Sequence, residues 1–332
     1  MDKILIIQTA FLGDVVLATP VIEKLHGVFP EAKIDFLLRN GNEGILKGHP
    51  FLKEIIILNK QKNKYQNVFK VIKQIRGNKY DIILNLHRFG SSGFITVLSK
   101  VKHTIGFDKN PFSIFFSKRV KHVIGKKVSN IHEIDRNLSL TDEYGDKMRI
   151  MPRIYPSDDD YKKTESLKKS TYICIAPCSV WFTKQYPKEK WLEFIRIIPE
   201  HIFIYLIGSE NDSELCNEII MEAGRKNIYN EADKLNMLET AALMKNSIMN
   251  FVNDSAPLHF ASAMNAPVTA IYCSTVPDFG FGPLSDNSHI IQTVEQLDCR
   301  PCGLHGFKSC PENHYECAHS INSENLLKVI LN

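Results

Sequence analysis

The residues best placed to do chemistry are Asn253-Asp254-Ser255-Ala256-Pro257-Leu258-His259, between an apolar run over 248–252 and the stretch Phe260-Ala261-Ser262-Ala263-Met264. That order predicts strand, tight turn and helix. Asp254 or Ser255 can cap the helix and Pro257 suits its first turn. The first amides of a helix have no intrahelical acceptor, so they form an anion site fit for phosphate. His259 falls in the first turn, where its ring can donate to the same oxygens. The plain alternative is that any α/β crossover needs a capped helix after a strand. A second candidate is Asp14, in the turn Gln8-Thr9-Ala10-Phe11-Leu12-Gly13-Asp14. Its single glycine is not the G-x-G-x-x-G of a dinucleotide site. Two uses compete for Asp14: capping a helix, or removing a proton from an acceptor hydroxyl. A capping carboxylate is stabilised as the anion, which weakens it as a base.

The third constellation is Cys299, Cys302, Cys310 and Cys317, with His305, His314 and His319 nearby. Four thiolates can hold a structural zinc ion. Only the first pair has tight ligand spacing, so reduced cysteines packing a loop, or forming one disulfide, is the preferred reading. No metal is assigned to catalysis.

These groups need a scaffold, and apolar periodicity supplies one. Strands are predicted at 4–7, 33–38, 54–58, 80–86 and 103–106, with helices at 15–29, 65–75 and 92–99 between them. In the second of these helices Val68, Phe69, Ile72 and Ile75 share a face. A helix begins at His132-Glu133. An extended, exposed linker follows, from Met151 through the acidic, lysine-rich stretch after Pro156. The pattern then restarts with strands at 172–176, 202–207, 248–252 and 268–272, the last closing the core sheet, and helices at 188–198, 212–223 and 237–245. Alternation of this kind means α/β domains with parallel, doubly wound sheets. Two such sheets in tandem leave a cleft at the carboxyl ends of their strands. A terminal helix over 322–331 is expected to pack across the domains.

Composition narrows the class. The 332 residues are 44% hydrophobic and 23% charged, enough for two complete cores. A net charge of +4 with lysines scattered among acids gives no sign of nucleic-acid binding. The exception is Lys118-Arg119-Val120-Lys121-His122 with Lys126-Lys127, either a solvated loop or a patch for an anionic acceptor or lipid head groups. No run reaches the ~18 apolar residues of a membrane span. Gln8 and Thr9 interrupt the first apolar run before a signal-peptide core forms, so the chain is expected in the cytoplasm.

Gly13-Asp14, His132-Glu133 with Arg136, residues 177–181 with 184–187, and Asp254-Ser255-Ala256-Pro257-Leu258-His259, in that order, resemble the ADP-heptose:lipopolysaccharide heptosyltransferases of glycosyltransferase family 9. The resemblance spans nearly the whole chain. It implies an α/β GT-B fold: two Rossmann-like doubly wound domains facing a central cleft. Residues 1–156 would bind acceptor; residues 157–332 would bind nucleotide sugar and carry the cysteine-rich tail and terminal helix. It implies an inverting transfer of heptose from ADP-L-glycero-β-D-manno-heptose to a lipid-linked lipopolysaccharide inner core, with no required cofactor and peripheral contact with the inner membrane surface. Asp14 would be the base. Lys184 would neutralise the diphosphate, assisted by the helix start at Ser255 to His259. Gly13, Ser179, Asp254, Ser255, Ala256, Pro257 and His259 would contact substrate. Glu210 or Asp212 would hold the ribose, and residues 235–237 would lie near adenine. The chain departs from the family pattern at Ala256, Cys178 and Cys273, where glycine is usual, and at Tyr186, where tryptophan is. Two rival readings remain: the same fold using another nucleotide sugar, and a non-catalytic nucleotide-binding module.

Overall fold

A computed structural model describes residues 1–61, 63–124, 131–168 and 170–331. The chain divides into two compact units, Met1–Tyr155 and Pro156–Asn332. In the first unit the described residues form a six-stranded parallel sheet ordered β3-β2-β1-β4-β5-β6. Its strands are β1 (Lys3–Ile7), β2 (Lys33–Arg39), β3 (Leu52–Leu58), β4 (Ile82–Asn85), β5 (His103–Phe107) and β6 (Lys118–Val120). Helices α1 (Leu12–Val16), α2 (Thr19–Val28), α3 (Lys64–Asn78), α4 (Gly90–Leu98) and α5 (Glu133–Leu138) connect or follow them. The central strands are apolar on both faces because helices cover both. Leu5, Ile7, Leu37 and Ile83 pack with Val68, Val71, Ile72 and Ile75 of α3 and Ile95 of α4.

The second unit repeats this order. Strands β7 (Tyr172–Ala176), β8 (Phe203–Leu206), β9 (Ile228–Asn230), β10 (Met249–Asn253), β11 (Val268–Tyr272) and β12 (Ser288–Gln292) pair in parallel as β12-β11-β10-β7-β8-β9. Its helices are α6 (Asp158–Thr164), α7 (Lys188–Ile197), α8 (Ser213–Ala223), α9 (Met237–Lys245), α10 (Ala256–Met264), α11 (Glu316–His319) and α12 (Glu324–Leu331). Both sheets therefore wind outward in two directions from a central strand pair, β1/β4 in one and β7/β10 in the other. Such switch points open a crevice at the carboxyl ends of the strands.

Several local expectations need correction. The helix expected over 15–29 is two helices, because Pro20 has no N–H to give Val16; the Thr19 hydroxyl donates to the Val16 carbonyl instead, at 2.8 Å. Phe69 does not share the buried face of α3; it is exposed, and Val71 takes its place. The acidic stretch after Pro156 is helical, its start capped by Ser157, whose hydroxyl accepts from the Asp160 N–H at 3.3 Å. The basic stretch is no solvated loop throughout: Lys118–Val120 pairs with β5, and His122 is buried against Phe107. Lys126 and Lys127 of that stretch lie outside the described residues. β11 does not close its sheet; β12 lies beyond it. Helix α12 packs on α7 and β12 of its own unit. Among the described residues no helix is long and apolar enough to cross a membrane.

Candidate active site

At the switch point of the first unit, β1 runs into Gln8 and Thr9 and β4 into residues 86–89. Thr9 Oγ1 lies 2.9 Å from His87 Nδ1, and Lys60 Nζ donates to Thr9 O and Oγ1, both at 3.1 Å. Burial lowers the His87 pKa to about 3, helped by Lys60, Arg88 and Arg39, so its imidazole is neutral. Burial, with Arg39 and Lys64, also lowers the Lys60 pKa to about 8. Asp14 is not the helix cap. It is the third residue of α1, whose N-cap is Phe11, and its carboxylate accepts from the Phe11 N–H at 3.0 Å. Gly13 is buried one residue earlier in the same turn. The Arg39 guanidinium stacks over Phe11, 4.8 Å from the ring centre. Farther along, Arg136 donates to Glu133 at 2.7 Å in a buried pair that fixes α5.

The corresponding point in the second unit lies between β7 and β10. Asn253, the buried last residue of β10, donates through Nδ2 to the carbonyls of Ala176 (3.3 Å) and Pro177 (2.8 Å) and accepts from the Tyr186 N–H (2.9 Å). It ties the loop after β7 to the strand beside it. Asp254 is not the cap of α10: Lys184 Nζ lies 2.7 Å from its Oδ2, and Thr275 Oγ1 donates to the same oxygen at 2.7 Å. Ser255 holds the N-cap position, but its hydroxyl donates back to the Asn253 carbonyl at 3.3 Å. No side chain therefore caps α10 among the described residues. The Ser255 and Ala256 amides begin a helix whose Pro257 adds no donor, and His259 lies one turn in, buried, against the Phe281 ring. An anion is what such an end accepts. Lys184 is thus an ion-paired ammonium beside an uncapped helix start, with three N–H donors of which one faces Asp254.

The remaining predicted residues divide. Asp212 turns into its own loop, accepting from the Ser209 N–H at 2.7 Å and hydroxyl at 2.8 Å, and the close packing of Gly208 on its side chain keeps it there. Glu210 is exposed at the carboxyl end of β8. The backbone of Ser179 accepts from Gln185 Nε2 at 2.6 Å, which shapes the Lys184 loop. Residues 235–237 are the start of α9, where the Asn236 side chain accepts from the N–H groups of Leu238 (2.8 Å) and Glu239 (3.0 Å).

The cysteine-rich tail supports that loop. Cys317, Ala318 and Ile321 enter the core beside Trp191, and Tyr315 donates to the carbonyls of Phe182 and Gln185. All eight cysteines are free thiols in this structure. Burial holds the Cys317 thiol up to about 12 and raises that of Cys302. Among the described residues no three His, Cys, Asp or Glu side chains are grouped as a metal ion requires. The Phe307 N–H donates to Thr183 Oγ1 at 2.7 Å, and the Thr183 N–H to the Phe307 carbonyl at 3.1 Å. Between them Gly306 takes φ +74°, and a Cβ there would fall 2.9 Å from Thr183 Oγ1 and 3.0 Å from Lys184 Cγ. Gly306→Ala is expected to cost about 1–2 kcal/mol in a denaturant melt and to weaken anion binding at the start of α10 by about tenfold through Lys184. A variant with wild-type affinity would uncouple the tail from the loop.

Thr275 and the tethering role of Asn253 escape sequence reasoning. Their only signals are the polar pair Ser274-Thr275 just past β11 and an asparagine ending an apolar strand.

The family model for glycosyltransferase family 9 (heptosyltransferase) matches residues 68–312. Lipopolysaccharide heptosyltransferase 3 of Escherichia coli is 27% identical over 291 residues, 83% of this chain and 85% of that protein. Among solved structures, the glycosyl transferase family 9 protein of Veillonella parvula superposes with a TM-score of 0.82 at 20% identity, covering 99% of this chain and 97% of that one. Escherichia coli heptosyltransferase WaaC with ADP-2-deoxy-2-fluoro heptose gives 0.75 at 16%, covering 98% and 99%.

Proposed function

The chain belongs to glycosyltransferase family 9, and from that premise we propose that it moves heptose from ADP-L-glycero-β-D-manno-heptose to the inner core of lipopolysaccharide, inverting the anomeric carbon. The observation that carries this reading is Lys184 beside the uncapped start of α10, a paired set of donors suited to a diphosphate. Support comes from relatives named as lipopolysaccharide heptosyltransferases and from a structural neighbour that holds a fluorinated ADP-heptose.

In this mechanism the second unit binds the nucleotide sugar, with Glu210 on the ribose, the Ser255 and Ala256 amides, Lys184 and His259 on phosphate oxygens, and Asp254 holding Lys184 in place. The first unit binds the acceptor. Asp14 takes the acceptor hydroxyl proton as that oxygen forms a bond to the anomeric carbon. The bond from that carbon to the diphosphate breaks, and its electron pair goes to the terminal phosphate oxygen of ADP. Lys184 and the helix start stabilise the charge that develops there, so the chain's own cations serve where a metal otherwise would.

Calorimetry with ADP, UDP and GDP in the presence of EDTA tests the reading. Selective ADP binding without metal is expected; preference for another base would shift the donor to a different nucleotide sugar, and binding restored only by a divalent cation would overturn the metal-independent mechanism.

The first unit adds a pH dependence. Arg39, Lys60 and Arg88 all act on His87, so the switch point is cationic and suits an anionic acceptor. Lys60 is charged below about pH 8 and neutral above it, whereas an unperturbed lysine would stay charged to 10.5. The acceptor KM should therefore rise above about pH 8 and stay flat there in Lys60→Arg. A rise that persists in that variant would assign the titration to another group.

A further inference from the structure

The lysines are not evenly scattered among acids. Between residues 55 and 132 the chain has sixteen Lys and Arg and only two acids, Asp81 and Asp108, although its net charge is +4; the rest is acidic on balance. Helix α3 contains no acid, and Lys64, Lys70 and Lys73 on it are exposed. The same unit carries exposed large apolar side chains: Tyr65 at 78% and Phe69 at 57% on α3, and Ile114 at 68% and Phe115 at 63% in the β5–β6 connection. These sets are joined. The Phe69 ring lies edge-on to Phe94 at 6.3 Å, and Phe94 to Phe112 at 5.9 Å, so an aromatic band runs from α3 across α4 to residues 112–115.

The connection holds its tip out rigidly. Asn110 is buried and donates to the carbonyls of His87 (2.9 Å) and Phe89 (3.0 Å), against Gly93, where a Cβ would fall 2.0 Å from its Oδ1. The Ser113 hydroxyl donates to the Asp108 carbonyl at 3.0 Å, and Phe116 is buried against Gly106. With residues 110, 113 and 116 fixed inward, Ile114 and Phe115 are presented to solvent by the fold itself. Scattered exposed apolar residues are ordinary; a contiguous band of them marks a binding surface.

The surrounding charge selects the partner. Exposed Lys109, Arg119 and Lys121 flank the tip, and Lys70 and Lys73 flank Phe69. Lysine is depleted from protein–protein interfaces but favoured beside anionic head groups, where its long stem reaches from an apolar face to water. Aromatic side chains suit the same boundary. We propose that the first unit docks on the surface of an anionic phospholipid bilayer through this band, with Ile114 and Phe115 entering the head-group region and the lysines facing lipid phosphates.

The test is sedimentation of the full chain with vesicles of phosphatidylcholine alone or mixed with phosphatidylglycerol. Binding to the mixed vesicles only, weakened by salt, is expected. Ile114→Ser/Phe115→Ser should lower the partition coefficient by about tenfold, and Lys70→Gln/Lys73→Gln by about ten- to thirtyfold. All four residues are apart from the groups assigned to substrate. Both variants should therefore keep wild-type circular dichroism and ADP affinity, so vesicle binding and nucleotide binding fail separately. Absence of vesicle binding, equal binding to neutral vesicles, or undiminished binding by the Ile114→Ser/Phe115→Ser variant would each overturn the proposal. So would light scattering showing a dimer that this variant dissolves, which would give the band to a second copy of the chain.

Discussion

Asp14→Asn is expected to lower turnover by about 10²–10⁴-fold while leaving ADP affinity unchanged. The substitution separates the two uses of this carboxylate. Asn retains an oxygen able to accept from the Phe11 N–H, the bond Asp14 makes at 3.0 Å, so the start of α1 keeps its local tie. What is lost is the negative charge near a helix start, worth about 0.3–1 kcal/mol, together with the ability to take a proton. A protein that melts within a few degrees of wild type yet has lost nearly all sugar transfer identifies a base. Asp14→Ala removes the Phe11 contact as well and should add a stability loss without a much larger loss of turnover. Turnover undiminished in Asp14→Asn, followed as ADP release in the presence of acceptor, would remove Asp14 from the mechanism and leave it as part of a helix start.

The sheet interiors were legible because strands covered on both faces are unbroken apolar runs, and β7 and β11 fall where such runs predict them. Three of the four edge strands were not, whereas the apolar edge strand β3 was predicted at 54–58. β6, β9 and β12 carry partly exposed, polar residues, since only one neighbour and partial cover stabilise them, and nothing in Lys118–Val120 distinguishes strand from loop. Side-chain roles were harder to read than positions. Asp254 precedes an N-cap in sequence and looks like one, but a lysine seventy residues away outcompetes the helix amides for it. Asp14 appeared to be a cap because the helix start was placed too late; one turn earlier, the same residue becomes the reciprocal partner of Phe11. The cysteine spacing kept a metal site open as the lesser reading because ligand patterns are local. Packing of Tyr315, Cys317 and Ala318 against the loop that carries Lys184 is a tertiary fact with no local signature.

Lys184→Ala is expected to weaken ADP binding by about ten- to a hundredfold and to destabilise the second unit at the same time, and a second substitution separates the two effects. The pair is largely buried, its side chains 14% and 9% exposed, so removing the ammonium strands the Asp254 carboxylate with the Thr275 hydroxyl as its remaining neutral donor. Breaking a fully buried pair costs about 3–5 kcal/mol, and for this partly solvated one about 2 kcal/mol is expected. Asp254→Asn keeps an acceptor for Thr275 and removes the stranded charge. Placed on top of Lys184→Ala it should restore most of the lost stability in a denaturant melt. It should not restore ADP affinity, because the cation facing the diphosphate is still missing. Alone, Asp254→Asn frees Lys184 from its counter-ion and should leave ADP affinity equal to wild type or higher, at some loss of lysine positioning. If affinity instead returns together with stability in the double variant, Lys184 acts only by completing an ion pair that shapes the loop, and the positive charge on the leaving diphosphate must come from the start of α10.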